Sequence, residues 1–155
     1  MKEAWIGALN SSLSYFERSI DCLEAADGGF QPTPDAMTAN QQIAHVAFTV
    51  DWFVDGAFSP SGFDMDFEQH MRDAMSVETL DEAKTRLREA YGRALAKIES
   101  ASLEEWQQPL PPGEVMGGMP RHMIFAGIVD HTAHHRGALT VYSRLCNHTP
   151  AMPYA

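Results

Sequence analysis

Four segments of this sequence carry apolar residues at intervals of three and four positions, and this periodicity constrains the fold more than any other feature. The spacing is that of side chains on one face of an α-helix. In the first segment the apolar residues are Trp5, Ile6, Leu9, Leu13, Phe16, Ile20 and Leu23. The four predicted helices span about 2–25, 38–58, 79–99 and 120–147. Because each helix must bury one apolar face, we predict an all-α fold, a four-helix bundle with long connecting loops in a single domain over residues 1–155.

The residues at the ends of these segments are those that commonly begin or end helices. Residues 27–29, Asp-Gly-Gly, follow the first segment and offer a glycine for a left-handed C-cap. Thr38 or Asn40 can cap the second helix. Residues 79–82, Thr-Leu-Asp-Glu, predict a capping box at the start of the third helix. Pro120 suits the first position of the fourth helix, where its missing N–H costs nothing.

The connection between the second and third helices, residues 59–78, is predicted to be a long loop. It contains the potential metal ligands Asp64, Asp66, Glu68 and His70. Aromatic and methionine residues alternate with these acids, which favours a loop with apolar side chains inward and acids outward over a second metal site. Connections of this length in a compact domain often lie over a functional site.

Charge and composition exclude several classes of function. The chain has 21 acidic against 11 basic residues, a net charge of −10, and no cluster of lysine or arginine. Binding to nucleic acid or to an anionic membrane surface is therefore not expected. The longest apolar run, residues 123–129, is too short to span a bilayer, and the N-terminus lacks the apolar core of a signal peptide. We expect a soluble cytoplasmic protein, with Cys22 and Cys146 as reduced, partly buried thiols rather than a disulfide.

Two histidines in the fourth segment, His131 and His135, are four residues apart. One helical turn separates them, so both imidazoles leave the same face and can reach one metal ion from one rigid element. His131 continues the apolar stripe that begins with Ile124 and Ile128, which places the pair at or near the buried side. The alternative is a pair of surface histidines on a solvated stripe.

A third histidine, His45, lies beside the apolar stripe of the second segment. Taken alone, a histidine at this position is more often a partly buried polar group bonded to a neighbour than a metal ligand. With His131 and His135 it makes a site of three imidazole nitrogens on two helices plausible. Thr49 and Trp52 follow on the same side of the helix as His45, at four and seven residues, and are expected to line the pocket around the metal.

Several pieces of the sequence together resemble the DinB/YfiT-like family of metal-binding four-helix bundles. The pieces are Ala44-His45-Val46, Trp52-Phe53, residues 131–137 (HTAHHRG), residues 139–142 (LTVY) and the closing residues 150–154. The resemblance covers nearly the whole chain. It implies that His45, His131 and His135 bind a divalent metal ion, zinc or nickel, with water in the open positions.

The resemblance also bears on activity. Family members with assigned reactions use a low-molecular-weight thiol, as transferases or as a maleylpyruvate isomerase, and they often form homodimers. Ala138 stands where the family often has glutamine, so it is a candidate pocket residue, and we expect substrate positioning there to differ from the family's. His134 lies about 100° around the helix from His135 and is expected outside the ligand set.

Three functions follow from these observations. The first is a metal-dependent enzyme that acts on a small molecule, in which the ion activates a thiol (a transferase or isomerase) or water (a hydrolase). Tyr142 could donate a hydrogen bond to a developing oxyanion there, or could simply pack in the core with its hydroxyl bonded. The second is a non-catalytic protein in which the metal clamps two helices or reports metal status. The third is a helical interaction module without metal that forms a homodimer through the first helix.

Overall fold

The structure is a computed structural model that describes residues 1–154. Its α-helices are α1 (Lys2–Ile20), α2 (Ala39–Phe58), α3 (Phe67–Met75), α4 (Leu80–Ser100), α5 (Leu103–Gln107) and α6 (Ile124–Leu145). Two 3-10 turns, Ala25–Gly29 and Arg121–Met123, complete the regular structure. Over the described residues there is no β-strand, only an isolated bridge between Pro109 and Pro120. The predicted all-α fold is confirmed.

The four long helices α1, α2, α4 and α6 form the bundle, in the order α1–α6–α2–α4 around its axis. Each contributes side chains with no exposed surface to one shared core, for example Leu9, Ile43, Leu87 and Leu139. The consecutive helices α1 and α2 are therefore diagonal to each other, while α2 is a neighbour of α6. This order places α2, the second predicted helix, beside α6, the fourth. These two helices carry the three candidate ligands.

The helix ends agree with the sequence at some positions and differ at others. Thr38 begins α2 with a complete capping box, because its hydroxyl accepts from the Gln41 N–H and the Gln41 side chain accepts from the Thr38 N–H. Thr79 accepts from the Glu82 N–H at the start of α4. The predicted reciprocal bond is wrong, because the Glu82 carboxylate forms an ion pair with Arg86 and accepts from the Glu78 N–H.

The end of the first helix was also predicted wrongly. Helix α1 ends at Ile20, and residues 25–29 form a 3-10 turn in which neither glycine is left-handed. The carboxylates of Glu24 and Asp27 cap this turn reciprocally, which favours a new turn over continuation of the helix. Gly28 is required there for close approach, because a Cβ atom would overlap the Asn40 side chain.

The predicted loop at 59–78 contains helix α3, which periodicity did not reveal. Asp66 caps it by accepting from the Gln69 N–H, and its buried residues, His70 and Ala74, occur one turn apart. The expectation of inward aromatic side chains holds for Phe63, which packs on Gly56, but not for Phe67, which is 51% exposed. A helix of nine residues with two buried positions is too short for the apolar pattern to stand out.

The fourth predicted helix begins later than expected. Pro120 precedes the 3-10 turn Arg121–Met123, and α6 starts at Ile124. Gly127 lies where α6 approaches α2, since a Cβ atom there would be 2.8 Å from Cζ of Phe53. The helix ends at Leu145, followed by Asn147 with a left-handed φ of 65°.

Both cysteines, Cys22 and Cys146, are free thiols, as predicted. None of the described helices combines the length and apolar character needed to cross a membrane. The homodimer stays a prediction. Among the described residues of α1, no large apolar side chain is fully exposed, and the exposed ones lie elsewhere, for example at Val141 and Leu145 of α6.

Candidate metal centre

Three histidines from two neighbouring helices meet inside the bundle. His45 comes from α2, and His131 and His135 come from successive turns of α6. One ligand nitrogen of each lies within 4.8 Å of the other two, and Nε2 of His45 is 3.2 Å from Nε2 of His131. Among the described residues, this histidine triad is the one group of three or more potential ligands at such distances. The structure thus brings together all three residues that the sequence singled out.

A chain of hydrogen bonds orients His135. Its Nδ1 lies within hydrogen-bond distance of Oε1 of Gln42. Nε2 of Gln42 donates to the hydroxyl of Tyr142 (3.1 Å), and that hydroxyl donates to the carbonyl oxygen of Met37 (3.0 Å). Because the amide oxygen can only accept, Nδ1 of His135 carries the proton and Nε2 keeps its lone pair. Metal-binding histidines commonly have this arrangement, with the second ring nitrogen donating to an oxygen.

The three imidazoles are held neutral. Burial lowers the pKa of His131 to about 4 and that of His135 to about 3, and in both cases the neighbouring histidines lower the pKa further. Burial, with a contribution from His134, also lowers the pKa of His45. A neutral imidazole offers the lone pair that a metal ion needs without first losing a proton. A cluster of three such nitrogens with no carboxylate fits a borderline divalent metal such as zinc or nickel.

A cavity of about 760 Å³ adjoins the triad. Its lining consists of His45, Phe48, Thr49, Trp52, Phe53, Phe67, His70, Met71, Gly127, Asp130, His131, Ala133 and His134. Two of the three candidate ligands therefore border open space on one side, whereas His135 faces Gln42 on the other. The side of the triad that borders the cavity is the side from which an exogenous ligand can approach.

The other residues proposed from the sequence fall in different places. Thr49 and Trp52 line the cavity, and the Thr49 hydroxyl donates to the carbonyl oxygen of His45 at 2.9 Å. Ala138 is not among the residues that line it. Tyr142 is buried behind His135, and its hydroxyl is engaged by Gln42 and Met37. This position makes Tyr142 a support for the Gln42 amide rather than a group facing the cavity.

Sequence reasoning missed Gln42 and the position of His70. Gln42 precedes His45 by three residues, so helical spacing alone could have placed it on the same face of α2. His70 fell within the predicted loop, yet it is buried in α3 with Nε2 3.2 Å from Oδ2 of Asp64. Its Nδ1 has no hydrogen-bond partner among the described residues. Among the described residues, no group of three potential ligands gathers around this pair.

Sequence comparison agrees with this arrangement. The sequence model of the DinB superfamily matches residues 8–139. The chain belongs to the DinB superfamily. No functionally curated protein matches this DinB protein significantly in sequence.

Three solved structures, among others, share the fold of this DinB protein at low sequence identity. YfiT from Bacillus subtilis, described as a probable metal-dependent hydrolase with an unusual four-helix bundle topology, superimposes with a TM-score of 0.70 at 15% identity. The alignment covers 96% of this chain and 89% of YfiT. A mycothiol-dependent maleylpyruvate isomerase and a mutant of it each give a TM-score of 0.67 at 13% identity, covering 88% of this chain and 60% of theirs. At these identities the likeness establishes the fold alone.

Proposed function

We propose that this DinB protein is a cytoplasmic, metal-dependent enzyme that acts on a small molecule. His45, His131 and His135 bind one divalent ion, zinc or nickel. The observation that carries the proposal is that two of these histidines border a cavity of about 760 Å³, so their ligand set has an open side. Three protein ligands with an open position are typical of catalytic sites, whereas structural zinc sites use four protein ligands.

The chain itself prepares the site in two ways. Burial keeps the imidazoles neutral at pH 7, and Gln42 fixes the orientation of His135. The aromatic side chains around the cavity reduce the access of water, which strengthens electrostatic interactions inside it. A bound divalent ion lowers the pKa of water or of a thiol that it coordinates, and so supplies a nucleophile at neutral pH.

The residues that line the cavity indicate that the nucleophile is not a side chain of the protein. The lining contains no cysteine or serine, and the hydroxyl of Thr49, its one aliphatic alcohol, is already bonded to the His45 carbonyl. The one carboxylate in the lining, Asp130, is exposed. We therefore infer that a low-molecular-weight thiol or water is the nucleophile, which makes the enzyme a transferase or isomerase in the first case and a hydrolase in the second. Two proteins with this fold support the two alternatives: a mycothiol-dependent isomerase, and YfiT, which is described as a probable metal-dependent hydrolase.

The first experiment is metal analysis by mass spectrometry of protein purified without chelators. We expect about one metal ion per chain in the parent and little in His131→Ala or His135→Ala. His148→Ala, a histidine outside the triad, is the matched control and keeps its metal. Stoichiometric metal in both triad variants would contradict the ligand assignment, and no metal in the parent after reconstitution would remove the enzyme proposal.

A non-catalytic role is the second candidate, because the ligands bridge α2 and α6 and a bound ion would clamp these helices together. The cobalt-substituted protein separates the two. An open catalytic site changes its visible spectrum when azide or a thiol is added. A clamp instead shows a large rise in melting temperature on metal binding and no spectral response to added ligands.

A further inference from the structure

The cavity beside the triad has an aromatic wall. Helix α2 supplies Phe48, Trp52 and Phe53, and α3 supplies Phe67. The ring centroid of Trp52 is 5.1 Å from that of Phe53 and 6.0 Å from that of Phe67. Met71 of α3 adds a further apolar side chain to the lining. These side chains form one continuous apolar surface beside the triad.

Two members of the wall are held in place by the surrounding chain. Nε1 of Trp52 donates to the carbonyl oxygen of Asp64 at 2.6 Å, which fixes the plane of its indole ring. Phe53 packs directly on the backbone of α6 at Gly127, where a Cβ atom would overlap its ring. The wall is therefore preorganised, so an apolar ligand need not order these side chains when it binds.

The side chains around the cavity include few charged groups. The lining contains no lysine or arginine. Its acidic residue, Asp130, is exposed at the rim next to His134. Of the two lining histidines outside the triad, His70 faces the carboxylate of Asp64 and His134 is exposed. An anionic group placed among the aromatic side chains would lose its hydration and gain no fixed cationic partner.

We propose, resting on the metal-dependent function above, that the substrate is a molecule with one metal-binding group and an uncharged aromatic body. The metal-binding group reaches the triad, and the body packs against the surface formed by Trp52, Phe53 and Phe67. Dicarboxylates and phosphorylated compounds are rejected, because their second anionic group falls on the apolar wall. The cavity volume of about 760 Å³ is within the range of about 300–1,000 Å³ typical for sites that bind small organic molecules.

The position of Phe67 supports this assignment. Its side chain is 51% exposed at the cavity, although a large apolar side chain gains little from contact with water. A bound aromatic group would cover the face of Phe67 that lines the cavity.

Three hydroxamates test the substrate class on the cobalt-loaded protein, with the visible spectrum as the readout. Acetohydroxamate has no ring, benzohydroxamate adds one, and 4-carboxybenzohydroxamate adds a carboxylate at the far end of that ring. We expect benzohydroxamate to bind about tenfold or more tightly than either of the other two, since both ring burial and carboxylate desolvation affect affinity by at least this factor. Equal affinity for benzohydroxamate and 4-carboxybenzohydroxamate would overturn the proposal. Equal affinity for benzohydroxamate and acetohydroxamate would also overturn it.

A pair of variants with the same change in charge sharpens the test. Phe67→Arg places a guanidinium at the cavity, and we expect it to bind 4-carboxybenzohydroxamate at least as tightly as benzohydroxamate. Val141→Arg introduces the same charge at a similarly exposed position of α6, 54% exposed and outside the lining, and should keep the preference of the parent. Loss of the preference in both variants, or in neither, would contradict the assignment of the wall.

A measurement without metal separates this inference from the proposed function. Calorimetry on metal-free protein compares 2-naphthol with 2-naphthoate, which have the same ring system but differ in charge. Failure of cobalt to bind would remove the proposed enzyme and leave this comparison intact. Binding of 2-naphthol about tenfold more tightly than 2-naphthoate supports the apolar wall, and equal binding or none overturns it.

Discussion

The histidine triad and the two histidine–aspartate pairs of this protein use the same side chain in opposite ways. In the triad, the one side-chain partner outside the group of histidines is the neutral amide of Gln42. In the pairs, His70 faces Asp64 at 3.2 Å and His148 faces Asp27 at 2.8 Å.

The pKa values differ accordingly. Burial lowers the pKa of the triad histidines, with further lowering from one another. In the pairs, the backbone N–H of Asp66 and that of Glu24 lower the pKa values of Asp64 and Asp27, and the histidines lower them further. In the triad, the amide oxygen of Gln42 accepts the Nδ1 proton of His135 and leaves the lone pair of Nε2 free. The comparison teaches that burial alone does not make a histidine a candidate metal ligand, because His70 is as buried as His135 but belongs to no group of three potential ligands among the described residues.

Among the variants that test this comparison, we expect the largest effect from a substitution of Gln42. Replacing it by leucine removes the acceptor for Nδ1 of His135, so we expect metal affinity to fall by about 10–100-fold, as measured by competition with a chelator. Gln42→Glu keeps an acceptor there and should recover most of the affinity. Gln69→Leu, on the exposed side of α3, is the control and should change nothing. Unchanged metal affinity in Gln42→Leu would show that Gln42 does not prepare His135 for metal binding.

A second effect, on a different property, is expected in the pH dependence of stability of the metal-free protein. The unfolded chain binds protons at its histidines below a pKa of about 6.5, whereas His131 and His135 in the folded chain resist protonation until the pH approaches 4 and 3. The unfolded state therefore gains protons first, and the free energy of unfolding falls as the pH drops from 6.5 towards 4.

Urea unfolding at pH 7 and pH 5 measures this effect. The parent should lose more stability over this interval than the double variant His131→Gln, His135→Gln, which lacks the two depressed groups. The chosen interval lies above the ordinary pKa values of aspartate and glutamate, so the carboxylates contribute little. Equal losses in the two proteins would show that these imidazoles are not held neutral by burial.

The smallest effect is expected at the His148–Asp27 pair. Both side chains are partly exposed, 24% and 16%, so their attraction is weakened by solvent. We expect His148→Asn to lower the free energy of unfolding by less than about 1 kcal/mol and to leave the metal content unchanged. Urea unfolding and metal analysis of the same sample check both statements. Loss of metal in this variant would mean that the pair and the triad are not independent.

Whether a feature could be predicted from the sequence depends largely on how far apart along the chain its interacting residues lie. Thr38 was one of two candidate caps from the sequence, together with Asn40, because the bond that a cap makes is local and here reaches only to Gln41. Helix α3 was missed because its two buried positions are too few to produce a pattern. The role of Gln42 was missed because its partner, His135, lies 93 positions away along the chain.

The amino-acid sequence by itself determined the long helices, the superfamily and the placement of His131 and His135 on one face of a helix. All of these depend on spacings of three and four residues, which helix geometry converts directly into neighbouring side chains. Only the tertiary structure decided the order of the helices in the bundle and the meeting of His45 with His131, 86 positions apart. It also decided which side chains surround the triad, namely the Gln42 amide on one side and an aromatic wall on the other. The physical reason is that long-range contacts depend on how whole helices pack, and local periodicity specifies which face of a helix is buried but not which helix covers it.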